Sequence, residues 1–334
     1  MLELVVFIII VALIFDFLNG VNDAANSIST VVATQVLPPK AAVALAAFWN
    51  FAAAFTFGVA VALTIGTGIV DPNVVTPYLI LAALLGAIIW TTGATYFGIP
   101  ISVSHALIGG LVGSALAAQG PKAVFVFGIL KKIVLPMIFS PLAGLIGALF
   151  LIIFVTYLVR YKTPNSVNRY FKKLQLVSAS MYSFSHGTND AQKTMGIITI
   201  LLFSAGYLGS DPSKITVPLW VIFASYGAIA LGTLVGGWRV IHTMGHKITR
   251  LRPVDGFCAE TSGAAVILAC SMLGIPVSTT HTISGSIMGV GSAKRLTAVR
   301  WQIARRIVWA WILTIPASAA VAAAIYLSLD ILII

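Results

Sequence analysis

Asn19-Gly20-Val21-Asn22-Asp23-Ala24 recurs as His186-Gly187-Thr188-Asn189-Asp190-Ala191. Gly98-Ile99-Pro100-Ile101-Ser102-Val103-Ser104-His105 recurs as Gly274-Ile275-Pro276-Val277-Ser278-Thr279-Thr280-His281. Between the two pairs, Gly58 through Thr64-Ile65-Gly66 parallels Gly237 through Thr243-Met244-Gly245. Each half then ends in an apolar run holding a proline, Pro141 or Pro316. Four elements in one order, at nearly constant offset, mark an internal duplication.

Composition says what kind of module was duplicated. Residues are 59% apolar and only 9% charged, with mean hydropathy +1.02. A soluble chain carries roughly a quarter charged residues. Here the charges cluster between apolar stretches, as in Arg160 to Lys173 and Arg239 to Arg252. A bilayer span needs about 20 apolar residues, and the chain supplies many such runs. The net charge of +11 flanks those runs without an aromatic-interleaved patch, so no nucleic-acid partner is expected. Cys258 and Cys270 make no disulfide or metal pattern. The first run lacks a basic n-region and a small-residue cleavage site, so it reads as a retained span.

These features predict an all-α polytopic membrane protein of two inverted-topology repeats, with broken helices, helical hairpins and about 10–12 membrane segments. The boundaries are 1–160 for the first repeat, 161–175 for a basic cytoplasmic linker, and 176–334 for the second. With the N-terminus outside, Lys40, Arg160–Lys173, Lys247–Arg252 and Lys294–Arg306 are cytoplasmic. Only Lys122, Lys131, Lys132 and Lys214 then remain outside. Each half has an odd number of crossings in that arrangement, which inverts the repeats. Segments 98–118 and 275–292 either span or re-enter; the pattern alone leaves both open.

The first run far exceeds one span, and Gly20 at its centre predicts a local unwinding there. Unwound backbone at membrane depth survives only where protein or a wet cavity satisfies it. A carboxylate at mid-bilayer without a partner costs about 3 kcal/mol or more. Freed carbonyls with Asn22 and Asp23, and with Asn189 and Asp190 in the second copy, are hard oxygen donors suited to a small hard cation. Thr64 and Thr243 are candidate additional ligands. The alternative is a kinked packing helix whose acids bond neighbours, and the duplication argues against it.

In the second motif a Gly-Ile-Pro breaks the chain, hydroxyls follow, and a glycine-bearing helix begins. Ser and Thr are good N-caps, and a helix N-terminus offers free N–H groups and a positive dipole end to an anion. Two such ends, carrying Ser102, Ser104, Ser278 and Thr280, would surround one tetrahedral oxyanion. His105 and His281 follow at once, either as core histidines or as positioning groups. Lys193, where the first half has Asn26, is a candidate to neutralise the oxyanion or Asp190, or else a structural lysine, and Asn26 is a further candidate oxyanion ligand. Glu260, where the first half has Leu84, and Asp16 are candidate ion or proton sites.

These residues resemble the inorganic phosphate transporter (PiT) family. Its duplicated Gly-x-Asn-Asp-x-x-Asn signature is similar to Gly20–Asn26 and, with Lys193 last, to Gly187–Lys193. Its Pro-(Ile/Val)-Ser-x-(Ser/Thr)-His element is similar to Pro100–His105 and Pro276–His281. Several eukaryotic relatives carry an acid where this chain has Asn50, whereas Glu260 is retained. The resemblance covers essentially the whole chain and implies an inverted-repeat symporter for phosphate with sodium or protons. The expected function is therefore secondary active phosphate import by sodium symport, with alternating access at a midplane site in the cell membrane. The alternatives are a proton-coupled phosphate or metal-phosphate symporter, or a sulfate permease of the same fold. No cofactor is expected beyond sodium as coupling ion. The expected partners are phosphate, sodium and the lipid bilayer, with homo-oligomerisation open. An intramembrane prenyltransferase would need several acids at helical spacing, and Asp23 is followed by Ala24, Ala25 and Asn26. A passive anion channel is the remaining alternative. Absence of a Walker motif points to ion gradients rather than ATP.

Overall fold

The computed structural model describes residues 1–55, 58–71, 74–209 and 215–333, and Lys214 lies outside them. The first half contains α1 (Leu2–Ala33), α2 (Pro39–Ala52), α3 (Ala60–Gly68), α4 (Pro77–Phe97), α5 (Val103–Gln119), α6 (Val126–Ile129) and α7 (Leu135–Leu158). The second contains α8 (Pro164–Ser204), α9 (Leu219–Val235), α10 (Trp238–His242), α11 (Pro253–Met272), α12 (Thr279–Lys294) and α13 (Trp301–Ile333). Among the described residues there is no strand, only one isolated bridge between Val70 and Val124. Among the described residues, five helical stretches are long and apolar enough to cross a membrane: Leu2–Ala33, Pro77–Phe97, Val126–Leu158, Pro253–Met272 and Trp301–Leu332. A sixth is α9 with Trp238–Lys247, bent by 66° at the break after Val235. Val126–Leu158 runs through a π-helical turn at Leu130–Val134 as one helical stretch.

The chain does not unwind at the repeated Asn-Asp motif. Leu2–Ala33 and Pro164–Ser204 are both continuous helices, which corrects the expected interruption. The glycines serve close packing instead. A Cβ on Gly20 would sit 2.2 Å from the Ile229 carbonyl oxygen of α9, and one on Gly187 would sit 2.6 Å from the Asn50 carbonyl oxygen of α2. The freed carbonyls predicted as ion ligands are therefore spent in helical hydrogen bonds. The basic stretch 161–175 is largely the exposed first turns of α8.

The real breaks fall at the second motif. Gly98 (φ +68°) and Gly274 (φ +67°) take the left-handed conformation that ends a helix. Ile99 N–H donates to Ala94 at 2.9 Å and Ile275 N–H to Cys270 at 2.9 Å, closing two matching Schellman turns. The proline two residues on forbids continuation. Ser102 and Ser278 then cap α5 and α12, each hydroxyl accepting from a histidine N–H, of His105 or His281, at 3.3 Å. The expected pair of helical hairpins is thus α4–α5 and α11–α12.

The two halves interleave. α13, from the second half, packs on α4 and α5, while α7, from the first, packs on α11 and α12. Glycines let backbones meet there, as in small-residue membrane interfaces. Cβ atoms on Gly109 and Gly113 would lie 2.4 and 2.0 Å from the carbonyls of Ile315 and Ala319. On Gly285 and Gly289 they would lie 2.1 and 2.2 Å from those of Pro141 and Leu145. Gly113→Leu is expected to cost about 3 kcal/mol or more, because backbone rather than a mobile side chain blocks the space. Thermal unfolding of the purified variant in detergent checks this, and an unchanged melting temperature would contradict it.

α1 and α8 thread two apolar cores. In one, Val5, Ile8 and Phe15 of α1 meet Met195, Ile198 and Leu201 of α8, with α4, α5 and α9. In the other, Ile28 and Val31 of α1 meet Phe171 and Tyr182 of α8, with α2, α7, α11 and α12. The polar residues of both signature motifs are left in a layer between these cores. α8 carries His186, Asn189, Asp190 and Lys193 there and is enclosed by protein from Tyr182 to Leu202. Neighbouring helices stand where lipid would be, which is how a helix this polar is tolerated.

Candidate functional site

Asp23 and Asp190 face one another across the α1–α8 contact with His186 between them. The imidazole Nε2 lies 3.6 Å from Asp23 Oδ2 and 3.6 Å from Asp190 Oδ2, and the three side chains are at most 2% exposed. Their ligand atoms fall within 4.8 Å of one another. Asn50 orients the histidine. Its amide NH2 donates to Thr233 at 3.1 Å, and Thr233 donates onward to the Ile229 carbonyl. Asn50 Oδ1 is therefore the acceptor for His186 Nδ1–H at 3.0 Å, which turns Nε2 toward the carboxylates.

The hairpin tips close over this pair. The Lys193 ammonium donates to Asp190 Oδ1 at 2.6 Å, to the Val277 carbonyl at 3.0 Å, and to the Ser104 hydroxyl. At the equivalent place in the first half, the Asn26 amide donates to Thr280 at 2.9 Å and Thr279 at 3.3 Å. Thr280 in turn donates to Asp23 Oδ1 at 3.2 Å, and Thr279 approaches Asp190 Oδ2 at 3.5 Å. Tyr182 OH steadies the second tip by donating to the Thr279 carbonyl at 3.1 Å. The His105 and His281 rings touch edge to face at 4.8 Å, so the N-termini of α5 and α12 lie side by side. Val103, Ser104, Thr279 and Thr280 open those helices, where backbone N–H groups have no intrahelical acceptor. Every side chain of this layer is at least nine-tenths buried, Ser104 being 7% exposed.

The other sequence-predicted residues take different places. Asn22 donates to Thr95 at 2.7 Å, leaving its own Oδ1 without a partner. Asn189 donates to Ser271 at 3.0 Å and accepts from Val277 N–H at 3.4 Å. Each thus latches the hairpin of its own half. Thr243 donates to the Gly98 carbonyl at 2.9 Å and Thr64 to the Gly274 carbonyl at 2.9 Å. Each threonine thereby holds the hairpin turn of the opposite half. Ser102 and Ser278 cap their own helices. Glu260 stands apart, its carboxylate accepting from Thr30 at 2.6 Å, Gln175 at 2.9 Å and Ser178 at 2.5 Å, which ties α1, α8 and α11 together. Asp16 is wholly buried on α1, one turn before Asn19. His281 stacks on Trp311 at 3.8 Å.

Sequence reasoning missed His186, Asn50, Thr279 and Tyr182 as parts of the site. His186 carried a signal, since it opens the repeated motif where the first copy has Asn19. Asn50 carried another, as a lone amide in an apolar run.

A carboxylate pair beside two helix N-termini can hold a cation and an oxyanion together. Comparison with known proteins agrees with that chemistry. Residues 19–322 match the model of the phosphate transporter family. A probable low-affinity inorganic phosphate transporter of Rhizobium meliloti is 56% identical over 98% of this chain and 97% of its own length. One of Bacillus subtilis is 43% identical over 99% of each chain. A solved structure described as the sodium-dependent phosphate transporter superposes with a TM-score of 0.89 at 28% identity, covering 99% of this chain and 100% of that one. Duplicated motifs, paired hairpins and a buried carboxylate layer thus converge with these likenesses: the chain belongs to the phosphate transporter family and is a multi-pass membrane transporter, not an enzyme.

Proposed function

We propose that the protein imports inorganic phosphate by symport with sodium. The observation that carries this reading is the placement of Asp23 and Asp190 against the N-terminus of α12, with Lys193 bridging Asp190 to Ser104 at the N-terminus of α5. Sodium at the carboxylates, with the free Oδ1 of Asn22 as a further oxygen, offsets charge that would otherwise repel an anion. Phosphate then takes the N–H groups and hydroxyls of Ser104 and Thr280, with Lys193 and Asn26 turning from protein acceptors to phosphate oxygens. Ser102 and Ser278 hold those helix ends in shape as caps. The likeness to a sodium-dependent transporter supports the choice of ion.

The packing suggests what moves. Backbone-tight glycine contacts join α4–α5 to α13 and α11–α12 to α7, making two units related by the inverted repeat. Rocking of these units about α1 and α8 would open the layer to one side and then the other. A proton-coupled reading would rest on His186, which sits within reach of both carboxylates.

Uptake of radiolabelled phosphate into proteoliposomes separates the two. An inward sodium gradient is expected to drive accumulation above the outside concentration. Equal accumulation with choline in place of sodium would reject sodium coupling, and a proton gradient sufficing alone would establish the other reading.

A further inference from the structure

Two packing units meet along a groove that neither fills. α7 packs with α11 and α12 on one side of it, and α13 packs with α4 and α5 on the other. The cavity between α7, α12 and α13 measures about 680 Å³, within the range of about 300–1,000 Å³ for ligand clefts. Its walls are apolar: Met137 and Leu142 of α7, Met288 of α12, and Val308 and Ile312 of α13. Its deepest part is His281 stacked on Trp311 at 3.8 Å, both buried. The Trp311 indole also donates to the Pro100 carbonyl at 3.1 Å, so the groove ends where the two hairpin tips join.

The mouth of the groove is basic. Trp301 and Arg305, both exposed, line it at the start of α13, a helix apolar enough to cross a membrane. Lys294, Arg295, Arg300, Arg305 and Arg306 follow one another with no acid between Glu260 and Asp330. Asp255, the acid at this end of the α11–α12 hairpin, is already held by Lys294 at 2.6 Å and Arg252 at 3.3 Å. Among the described residues, no ion pair includes Arg305. Indoles concentrate at the headgroup level, so Trp301 marks the membrane surface. Arg305 lies about 6 Å further in along α13, where a guanidinium is costly unless it snorkels to an anion. Trp311 lies about 15 Å in from Trp301, half the hydrocarbon thickness and within reach of an acyl chain.

We propose that this groove binds an anionic phospholipid, its phosphate on Arg305 and one acyl chain lying between α7, α12 and α13 as far as Trp311. Basic mouths between membrane helices suit such headgroups, and the apolar walls suit the chain. A second copy of the protein is the poorer occupant, because the acid at this end, Asp255, is buried and already paired. The bound lipid bridges the two units, touching α12 on one side and α13 on the other.

Native mass spectrometry of the purified protein, given phosphatidylglycerol and phosphatidylcholine at equal concentration, tests the site. The unaltered protein is expected to retain phosphatidylglycerol in preference. Arg305→Gln should weaken phosphatidylglycerol retention about fivefold, the worth of one basic residue at an anionic surface, and leave phosphatidylcholine unchanged. Val308→Trp, which fills the groove, should weaken retention of both. Arg160→Gln removes an exposed charge outside the groove, beyond the end of α7, and should alter neither. Equal retention of the two lipids by the unaltered protein would overturn the proposal. So would equal losses in Arg305→Gln and Arg160→Gln, which would mean that charge acts over the whole surface. Groove variants that change the oligomeric mass while lipid retention holds would assign the groove to a second copy instead.

Discussion

Asp23→Asn is expected to lower sodium-driven phosphate uptake by roughly a hundredfold while leaving a folded protein, the upper range of coupling between bound ligands. Asparagine keeps the shape and an oxygen at Oδ1, so the Thr280 hydroxyl that donates to Asp23 at 3.2 Å keeps an acceptor. Only the negative charge is lost, and that charge is what the sodium site requires. Burying a neutral amide also costs less than burying a carboxylate, so the variant should express and melt as the unaltered protein does. Proteoliposome uptake and a detergent melting curve together check both parts. Full uptake in a well-folded variant would remove Asp23 from the coupling site.

Lys193→Met is expected to destabilise the protein by about 3–5 kcal/mol, the range for breaking one side of a buried ion pair. The Lys193 ammonium is 2.6 Å from Asp190, and methionine fills similar space without charge. Asp190, 0% exposed, would be left uncompensated while the Ser104 hydroxyl and Val277 carbonyl lose a donor. Adding Asp190→Asn should recover most of the stability, since the charge needing a partner goes with the partner. Transport should stay lost in both, because phosphate loses Lys193 in each and sodium also loses Asp190 in the double variant. Unfolding of Lys193→Met, Asp190→Asn and the double variant closes the thermodynamic cycle. An unaffected Lys193→Met protein would mean that the pair carries no stability. The first half has neutral Asn26 at this position, so its symmetric change should be far milder.

Much of the architecture is legible in the sequence because it rests on local rules. Gly-Ile-Pro-x-Ser writes a helix stop, a barrier and a new cap in consecutive residues, and both copies fold accordingly. The Asn-Asp motif misleads for an equally physical reason. A glycine for unwinding and a glycine for close approach are the same letter, and only the Ile229 and Asn50 carbonyls beside Gly20 and Gly187 decide between them. α8 is hard to read as a membrane helix because its polar residues find partners contributed by both halves. Thr64 and Thr243 stand out as a repeated pair, yet their bonds to Gly274 and Gly98 depend on interleaving that sequence order does not reveal. His186 shows in the sequence only as the place where the second motif departs from Asn19 of the first, and its contacts with Asp23 and Asn50 come from the other half.

Titrating purified protein with phosphate at low and high sodium, choline holding ionic strength constant, tests most directly whether cation and oxyanion share one buried layer. Sodium is expected to tighten phosphate binding by at least about tenfold, and by linkage phosphate should tighten sodium binding equally. Identical phosphate affinity in choline and in sodium would mean that nothing joins the acids of α1 and α8 to the tips of α5 and α12.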